Sequence, residues 1–300
     1  MEVSIIIPTY NGAPKVVNTL RALEIQTCQN FEVIIVIDGS TDGTAQVLQK
    51  QSFKLDLKII EQQNGGRSVA RNTGAKMANG DFLIFFDDDI RPIPQCVEMH
   101  VAHHLIKPQS ILVGSPLEDE MLIKTDLQRY KAFLSSKWMH MISRKGQPIE
   151  SPFITAANCS MKKDLFFELG EFDERLNDAE DFDLAVRAFK KAVPIYVNTE
   201  AIGWHDDFIT CFSYVKRQRE YHKSHELIKH VKPNLYAAME RKPAKIGWIK
   251  KAIYNFFSHK VWVKIVDRFN ILLLFPRRLR YLMYDLIITG LSNHFPHRGI

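Results

Sequence analysis

The amino-acid sequence predicts an α/β fold with a mostly parallel, doubly wound sheet flanked by helices, followed by a helical, basic C-terminal extension. Two observations support the sheet. Short apolar runs alternate with helical patterns, and each run, such as 31–38, stops at polar residues. The run 82–86 is apolar throughout and leads directly into Asp87, Asp88 and Asp89. Unbroken apolar runs are typical of parallel strands that are covered on both faces.

The remaining elements continue this alternation. Strands are predicted over residues 3–8, 31–38, 57–61, 82–86, 111–114, 153–161 and 194–197. Helices are predicted over residues 14–23, 44–51, 69–77, 94–106, 163–169 and 178–189. Pro14 suits the first turn of its helix because its fixed φ angle is already helical. Residues 118–150 are polar and irregular, which leaves them unassigned, as a lid or an inserted segment.

The three adjacent aspartates predict a cation site. In an extended chain, residues two apart point to the same side, so Asp87 and Asp89 can reach one ion while Asp88 faces the other way. Neighbouring carboxylates repel one another, and a divalent ion relieves that repulsion. A solvated acidic turn is the alternative. Because ligands bind at the carboxyl edge of a parallel sheet, we expect the triplet to lie beside Asp38 and residues 8–10.

A second acidic stretch opens the predicted helix 178–189. Asp178 is predicted to be its N-cap, with Asp181 three residues on as a capping-box partner. This structural role is an alternative to a catalytic role for Asp181.

Composition and charge limit the class of protein. A chain of 300 residues that is 46% hydrophobic and 25% charged can build a sizeable core, which excludes a disordered protein. The four cysteines form no CxxC pair and are interpreted as reduced thiols of a cytosolic protein. The N-terminus shows no secretory signal pattern.

The positive charge is concentrated at the C-terminus. Residues 241–300 hold twelve Lys and Arg against two Asp and Glu, a net charge of +10, which leaves −4 for residues 1–240. Aromatic and aliphatic residues alternate there with Lys and Arg at helical spacing, and no uncharged stretch reaches the roughly 18 residues of a spanning helix. Amphipathic helices on an anionic membrane surface are predicted. Packing on the rest of the chain, or a dimer interface, is the alternative.

Six motifs together resemble one known family. They are residues 4–11, 38–44, 70–74, 87–89, 170–173 and 180–181. In this order and spacing they resemble family 2 glycosyltransferases of the GT-A type, a Rossmann-like fold, over roughly residues 3–225. The resemblance implies an inverting transferase that uses a nucleotide sugar, expected to be a UDP-sugar.

The resemblance also implies which residues bind the donor. Pro8, Thr9, Tyr10 and Asp38 would hold the base and ribose, since a tyrosine offers an aromatic face and a carboxylate accepts from a base N–H. Arg71 would lie near the nucleotide, although a helix-surface salt bridge is an alternative role for it.

The metal and the base are implied in the same way. Asp87 and Asp89 would hold Mn²⁺ or Mg²⁺ against the donor diphosphate, with Asp88 as a ribose or metal contact. His205 would be a third metal ligand, or else a surface residue. The second acid of the pair Glu180 and Asp181 would be the catalytic base that deprotonates the acceptor hydroxyl.

The expected organisation is a catalytic domain over 1–240 and a basic helical tail over 241–300. Residues 1–115 would form the donor half of that domain and 116–240 the acceptor half. The acceptor is expected to be a glycan or a lipid-linked glycan, and the protein to be cytoplasmic and peripheral to the inner face of the cell membrane. No nucleic-acid partner is expected, and the sequence leaves homo-oligomer formation open.

Two other functions fit part of the pattern. A sugar-nucleotide pyrophosphorylase shares the sheet and the acids, but it needs a Gly-rich basic loop after the first strand, and residues 8–12 are not such a loop. A non-enzymatic nucleotide-sugar-binding protein would bind donor and metal without turnover.

Overall fold

The computed structural model follows the predicted alternation closely in the first part of the chain. Its elements are β1 (Val3–Thr9), α1 (Ala13–Glu24), β2 (Phe31–Asp38), α2 (Thr44–Lys50), β3 (Asp56–Gln62), α3 (Arg67–Met77), β4 (Phe82–Phe86), β5 (Ile90–Pro92), α4 (Cys96–Ile106) and β6 (Ile111–Leu117). The structure describes residues 2–176, 178–236, 246–269 and 271–300.

The later elements are mainly helical. They are α5 (Asp126–Ile142), β7 (Asn158–Lys162), α6 (Lys163–Glu168), α7 (Glu180–Lys190), β8 (Ile195–His205), α8 (Cys211–Val231), α9 (Pro233–Tyr236), α10 (Trp248–Phe257), α11 (Lys260–Lys264) and α12 (Arg277–Thr289). One compact unit comprises Met1–Asp119 and Ser135–Asp207, and a second comprises Glu120–Leu134 and Phe208–Ile300.

All eight strands form one sheet in the first unit, in the order β3-β2-β1-β4-β7-β6-β8-β5. Strands β3, β2, β1 and β4 are parallel neighbours, and β7 runs antiparallel to both β4 and β6. Strand β8 is parallel to β6, so β6 and β8 run in the same direction as β1. Among the described strands, β5 and β7 run the other way, which confirms a mostly parallel sheet.

The central strands are apolar throughout because both faces of the sheet are covered. In β4, Leu83 and Phe85 join one buried cluster, whereas Phe82, Ile84 and Phe86 join the cluster on the opposite face. Successive side chains of a strand point to opposite faces, so a strand with two buried faces has no polar positions. The acids at the end of β4 therefore emerge where this cover stops.

Several predicted boundaries were wrong. The strand predicted over 153–161 is the shorter β7 (Asn158–Lys162), because β4 pairs with those five residues alone. Strand β5 (Ile90–Pro92) was missed because it is short and contains a proline. The unassigned segment 118–150 contains the helix α5 (Asp126–Ile142).

The start of α7 also differs from the prediction. The helix begins at Glu180 with Ala179 as its N-cap residue, and Asp178 does not cap it. The Asp178 carboxylate instead accepts a hydrogen bond from Arg67 Nη1 at 3.2 Å. Ion pairing to a neighbouring helix has replaced the local capping that the sequence pattern suggested.

The second unit has its own apolar core, to which α5, α8, α11 and α12 contribute side chains. A buried polar group ties two of these helices together, since Arg280 donates to both oxygens of Asp126 at 2.7 and 3.0 Å. Tyr284 donates to the same carboxylate at 3.1 Å. In the described ranges, no helix is long and apolar enough to cross a membrane.

Candidate functional site

The parallel strands bring three of the predicted motifs to one edge of the sheet. Thr9 pairs in register with Ile37, one residue before Asp38, and β4 ends beside β1 at Phe86. Since the carboxyl ends of these strands point the same way, residues 8–10, Asp38 and the acids after β4 lie along one edge.

The carboxyl end of β1 and the turn after it contact the acidic triplet directly. Thr9 Oγ1 donates a hydrogen bond to Asp88 Oδ2 at 2.5 Å, and Thr19 Oγ1 donates to the Asp88 carbonyl oxygen at 2.9 Å. Gly12 lies so close that a Cβ there would be 2.1 Å from Asp88 Oδ2. A residue without a side chain is therefore required at position 12 for this approach.

The predicted nucleotide residues fall into two groups by exposure. Pro8 is buried within β1, opposite Val36 of β2. Tyr10 follows the strand and is 55% exposed, so its ring is available to a ligand. Pro8 is therefore a structural residue of β1, whereas Tyr10 can offer an aromatic surface to a ligand.

Asp38 is buried and anchors the loop that leads into α3. Its Oδ1 accepts from Gln62 Nε2 and from the Gly65 N–H, both at 2.8 Å, and its Oδ2 accepts from the Gly66 N–H at 2.8 Å. A carboxylate has about four acceptor positions, so these bonds leave capacity at Oδ2 alone. The loop geometry depends on this side chain.

Arg71 links the two acidic motifs. It is buried in α3, and its Nη2 lies 2.5 Å from Asp87 Oδ1 while its Nη1 lies 2.6 Å from Glu180 Oε1. Burial acts to lower the pKa of Arg71, but the two carboxylates hold that pKa above its usual value. Arg71 is thus neither a helix-surface residue nor an isolated cation, and it holds the end of β4 against the start of α7.

The other two acids of the triplet have opposite electrostatic environments. Burial, with the negative charges of Asp89 and Asp87, raises the pKa of Asp88 to about 7. Burial acts to raise the pKa of Asp89 as well, but His205 and Lys15 hold it well below its usual range. Asp89 is therefore ionised at neutral pH, whereas Asp88 titrates there.

Asp89 and His205 form the best candidate for a metal position. His205 Nε2 lies 3.3 Å from Asp89 Oδ1, and Lys15 Nζ lies 3.0 Å from Oδ2 of the same carboxylate. Both predicted ligands are partly exposed at the carboxyl edge. Asp87, the other predicted ligand, is ion-paired to Arg71 through its Oδ1.

The donor set fits a divalent cation that is shared with a ligand. Across the residues the structure describes, no group of three or more His, Cys, Asp and Glu is arranged as a ready metal centre. A carboxylate oxygen suits Mn²⁺ and Mg²⁺ alike, an imidazole nitrogen suits transition metals, and the remaining positions would require oxygen ligands from a bound molecule or water. The ammonium of Lys15 lies beside Asp89, so it already neutralises part of the negative charge that such a cation would meet.

Asp181 lies in the first turn of α7, next to the buried Glu180. It is half-buried, and its Oδ1 accepts a hydrogen bond from the Phe182 N–H at 2.7 Å. Burial and the neighbouring negative charge of Glu180 raise the pKa of Asp181 to about 7. A carboxylate with such a pKa can both take up and release a proton near neutral pH.

Sequence reasoning missed two cations of this region. Lys15 lies in the first turn of α1, and Arg91 follows the triplet in β5. Arg91 donates to both oxygens of Asp206 at 2.7 and 2.9 Å and to Asp119 at 2.9 Å, which holds the chain just after His205. The excess of carboxylates was the available signal, because clustered buried acids need nearby cations.

The chain is similar to known glycosyltransferases over most of its length. It is 26% identical over 257 residues to the uncharacterized glycosyltransferase YfnE of Bacillus subtilis, covering 69% of this chain and 65% of YfnE. It is 30% identical over 209 residues to the glycosyltransferase AglE of Haloferax volcanii, covering 68% of this chain and 66% of AglE. The chain thus spans about two thirds of the length of these curated relatives.

A third relative is similar over a shorter segment. The poly(ribitol-phosphate) beta-N-acetylglucosaminyltransferase TarS of Staphylococcus aureus is 40% identical over 128 residues, which is 41% of this chain and 21% of TarS.

Two solved structures share the fold. The mannosyltransferase PcManGT of Pyrobaculum calidifontis, in complex with GDP-Man and Mn²⁺, aligns with a TM-score of 0.62 at 16% identity, over 99% of this chain and 88% of that one. Residues 1–349 of S. aureus TarS in complex with UDP align with a TM-score of 0.53 at 20% identity, over 99% and 92%. The fold is thus of the GT-A type. The model of glycosyl transferase family 2 matches residues 4–170, and the chain belongs to that family.

Proposed function

We propose that this protein is an inverting glycosyltransferase that moves a sugar from a nucleotide-diphosphate sugar to a hydroxyl of a glycan or lipid-linked acceptor. The observation that carries the proposal is the double ion pair of Arg71. Because Arg71 contacts Asp87 and Glu180 at once, the acids at the end of β4 lie close to Asp181. A transferase needs its donor site and its catalytic base close together, so that both act on the same bond-forming step.

On the donor side, Tyr10 would contact the base, and Asp38 would hold the surrounding loop. Asp89 and His205 would hold the metal, which would supply positive charge to the leaving diphosphate. Lys15, 3.0 Å from Asp89, adds a second positive charge at this position. Charge stabilisation of the leaving group is the main requirement of this reaction.

On the acceptor side, Asp181 would be the base. The acceptor oxygen forms a bond to the anomeric carbon while the bond from that carbon to the diphosphate oxygen breaks. The hydroxyl proton passes to the Asp181 carboxylate, and the nucleoside diphosphate leaves with the electron pair. A single displacement of this type inverts the anomeric configuration. The raised pKa of Asp181, about 7, makes its carboxylate a stronger base than an ordinary aspartate.

The donor is proposed to be a UDP-sugar. TarS, which is 40% identical over 128 residues, is named as an N-acetylglucosaminyltransferase, and its structures hold UDP and UDP-GlcNAc. PcManGT binds GDP-Man, so a GDP-sugar is the principal competitor. The carboxylate and imidazole at the metal position favour Mn²⁺ over Mg²⁺, since imidazole is a poor ligand for Mg²⁺. We place the reaction in glycan assembly at the inner face of the cell membrane.

The test is nucleoside diphosphate release across a panel of UDP-, GDP- and TDP-sugars with Mn²⁺ or Mg²⁺ and a panel of glycan acceptors. We expect one donor to turn over, Asp89→Ala to lose donor binding, and Asp181→Asn to bind donor without turnover. Asp164→Asn removes an exposed carboxylate from α6 and serves as the matched control, with full activity expected.

Two outcomes would count against the proposal. Donor binding with metal, but with no turnover on any acceptor, would favour a nucleotide-sugar-binding protein. An Asp181→Asn variant as active as the native protein would remove Asp181 from the mechanism.

A further inference from the structure

Helix α10 (Trp248–Phe257) carries a continuous apolar stripe on its exposed side. Trp248 is 80% exposed, Ile249 58%, Ile253 42% and Phe256 58%. Positions 248, 252 and 256, and positions 249 and 253, are four residues apart, so these side chains lie on one face of the helix. An exposed apolar face of this kind marks an interaction surface.

The exposed stripe does not come from a helix that is poorly attached. The opposite side of α10 packs into the second unit, where Tyr254 and Ser258 are buried. The Tyr254 ring lies 4.2 Å from the His294 ring, and a Cβ on Gly290 would lie 2.5 Å from Ser258 Oγ. These contacts fix the orientation of α10 within its unit, and they leave the apolar stripe on its exposed side.

A second exposed apolar segment lies in the same unit. Leu273 is half exposed, and Leu274 is 84% exposed, whereas their neighbour Leu272 is buried. These leucines belong to a short 3₁₀ helix, Ile271–Leu274, and Phe269 and Phe275 are exposed on either side of this short turn. The buried Leu272 anchors the turn, so the leucines beside it are held outward.

Exposed basic residues lie on the same helices as these apolar surfaces, or next to them in the sequence. Lys250 and Lys251 lie on α10, Lys260 and Lys264 on α11, and Arg277 and Arg278 begin α12. Residues 246–300 contain two acids, Asp267 and Asp285. Asp267 is used within the unit, because it accepts from the Cys211 N–H at 2.6 Å and from the Phe212 N–H at 3.1 Å.

The combination of exposed apolar side chains and basic residues favours one of three possible binding partners. A second copy of the chain would bring like charges together around the apolar contact, which opposes association. A nucleic acid would use the lysines and could stack bases on Trp248 and Phe256, but it would gain nothing from the exposed leucines and isoleucines. An anionic bilayer satisfies both features, because its acyl boundary accepts the apolar stripe and its headgroups accept the lysines.

We propose that α10 lies in the interface of an anionic bilayer, with Trp248, Ile249, Ile253 and Phe256 at the acyl boundary and Lys250 and Lys251 at the headgroups. Leu273 and Leu274 form a second contact. The proposal gives the predicted membrane contact of residues 241–300 a defined surface, and it holds whether or not the chain is a glycosyltransferase.

The experiment is co-sedimentation of the full chain with vesicles of equal parts phosphatidylcholine and phosphatidylglycerol. We expect binding to fall about tenfold or more on vesicles of phosphatidylcholine alone. On the mixed vesicles, we expect high salt to weaken binding, because it screens the attraction between the lysines and the anionic headgroups. Trp248→Ser with Ile249→Ser, and separately Lys250→Glu with Lys251→Glu, should each weaken binding about tenfold or more.

The matched control is Leu105→Ser with Ile106→Ser, which removes two equally exposed apolar residues at the end of α4. This variant should bind vesicles like the native chain. All of the substituted side chains are exposed, and thermal unfolding confirms that each variant is folded.

Three results would overturn the proposal. Equal binding to both vesicle types would exclude charge recognition, and unchanged binding of the Trp248→Ser, Ile249→Ser variant would exclude the stripe. Sedimentation equilibrium showing a dimer that this variant dissociates, with no vesicle binding, would assign the stripe to a second copy. Because the vesicles contain neither donor nor acceptor, the result is independent of transferase activity.

Discussion

Arg71 and Glu180 form a buried ion pair, with Nη1 of the guanidinium 2.6 Å from Oε1 of the carboxylate, although 109 residues separate them in sequence. The same guanidinium contacts Asp87, so one side chain from α3 joins the strand-end acids to the start of α7. Its Nε is buried without a hydrogen-bond partner among the described residues. The ion pairs with Glu180 and Asp87 are therefore the contacts that compensate the buried charge of Arg71.

Arg71→Met is expected to destabilise the protein by about 3–5 kcal/mol, because it leaves the carboxylates of Glu180 and Asp87 without their cation in a buried place. Urea unfolding measures the change. Arg175→Met, which removes an exposed arginine paired with Asp173, is the control and should leave stability unchanged. An Arg71→Met variant as stable as the native chain would show that this ion pair contributes little.

The raised pKa of Asp181 predicts a pH-dependent rate. With a pKa of about 7, Asp181, the proposed base, loses its carboxylate form as the pH falls below 7. We expect kcat/KM for the preferred donor to rise about tenfold per pH unit below pH 7 and to level off above it. Substrates and buffers that do not titrate in this range provide the control. A profile that is flat between pH 5 and pH 7 would contradict the assignment of Asp181 as base.

The same pKa predicts a stability effect with a definite sign. Because the folded-state pKa of Asp181 lies above the unfolded value, the folded protein binds more protons between about pH 4 and pH 7, and its stability falls as pH rises through that window. Asp181→Asn removes this titration and should be more stable than the native protein at pH 8, on the order of 1–2 kcal/mol, with no gain at pH 4. Urea unfolding at both pH values tests this, and an equal gain at both would contradict it.

Gly12→Ala should disrupt the triplet. The added Cβ would lie 2.1 Å from Asp88 Oδ2 and 2.5 Å from Thr9 Oγ1, so the hydrogen bond between those residues must be displaced. We expect a stability loss of about 1–3 kcal/mol and weaker binding of UDP with Mn²⁺, measured by calorimetry. Gly299→Ala meets no atom within 4 Å and should be neutral. Unchanged UDP binding by Gly12→Ala would show that this contact does not shape the donor site.

Loss of the imidazole at the proposed metal position should be visible in metal titrations. His205→Ala is expected to raise the Mn²⁺ concentration for half-maximal activity about tenfold or more, because one nitrogen ligand is lost. His140→Ala removes an exposed histidine from α5 and is the control. An unchanged Mn²⁺ requirement in His205→Ala would mean that Asp89 acts without this histidine.

The strands could be predicted from the sequence where burial is symmetrical. Residues 82–86 can be recognised because every position must be apolar when both faces are covered. The extent of β7 could not be predicted, because its N-terminal limit is set by where β4 stops pairing rather than by its own residues. The antiparallel direction of β7 likewise depends on its pairing with β4 and β6, and its own residues do not specify it.

The acids of the site could be named from the sequence, but their partners could not. Asp87, Asp88 and Asp89 are adjacent in sequence, yet Arg71, Thr9 and the pair of Lys15 and His205 hold them separately. These contacts join residues that are far apart along the chain, and local patterns carry no information about them. Asp178 shows the same limit, because its pairing with Arg67 replaced the expected cap.

The antiparallel strand β7 has a consequence for the nascent chain. Strand β4 ends at Phe86, but the strand that covers its second edge begins at Asn158. While the intervening residues are being synthesised, β4 presents an open edge of unpaired N–H and C=O groups beside fully apolar side chains. Such edges recruit strands from other chains, and late pairing prolongs that exposure. Arrival of β7 therefore closes the aggregation-prone edge, so fragments that stop before it should accumulate as insoluble material.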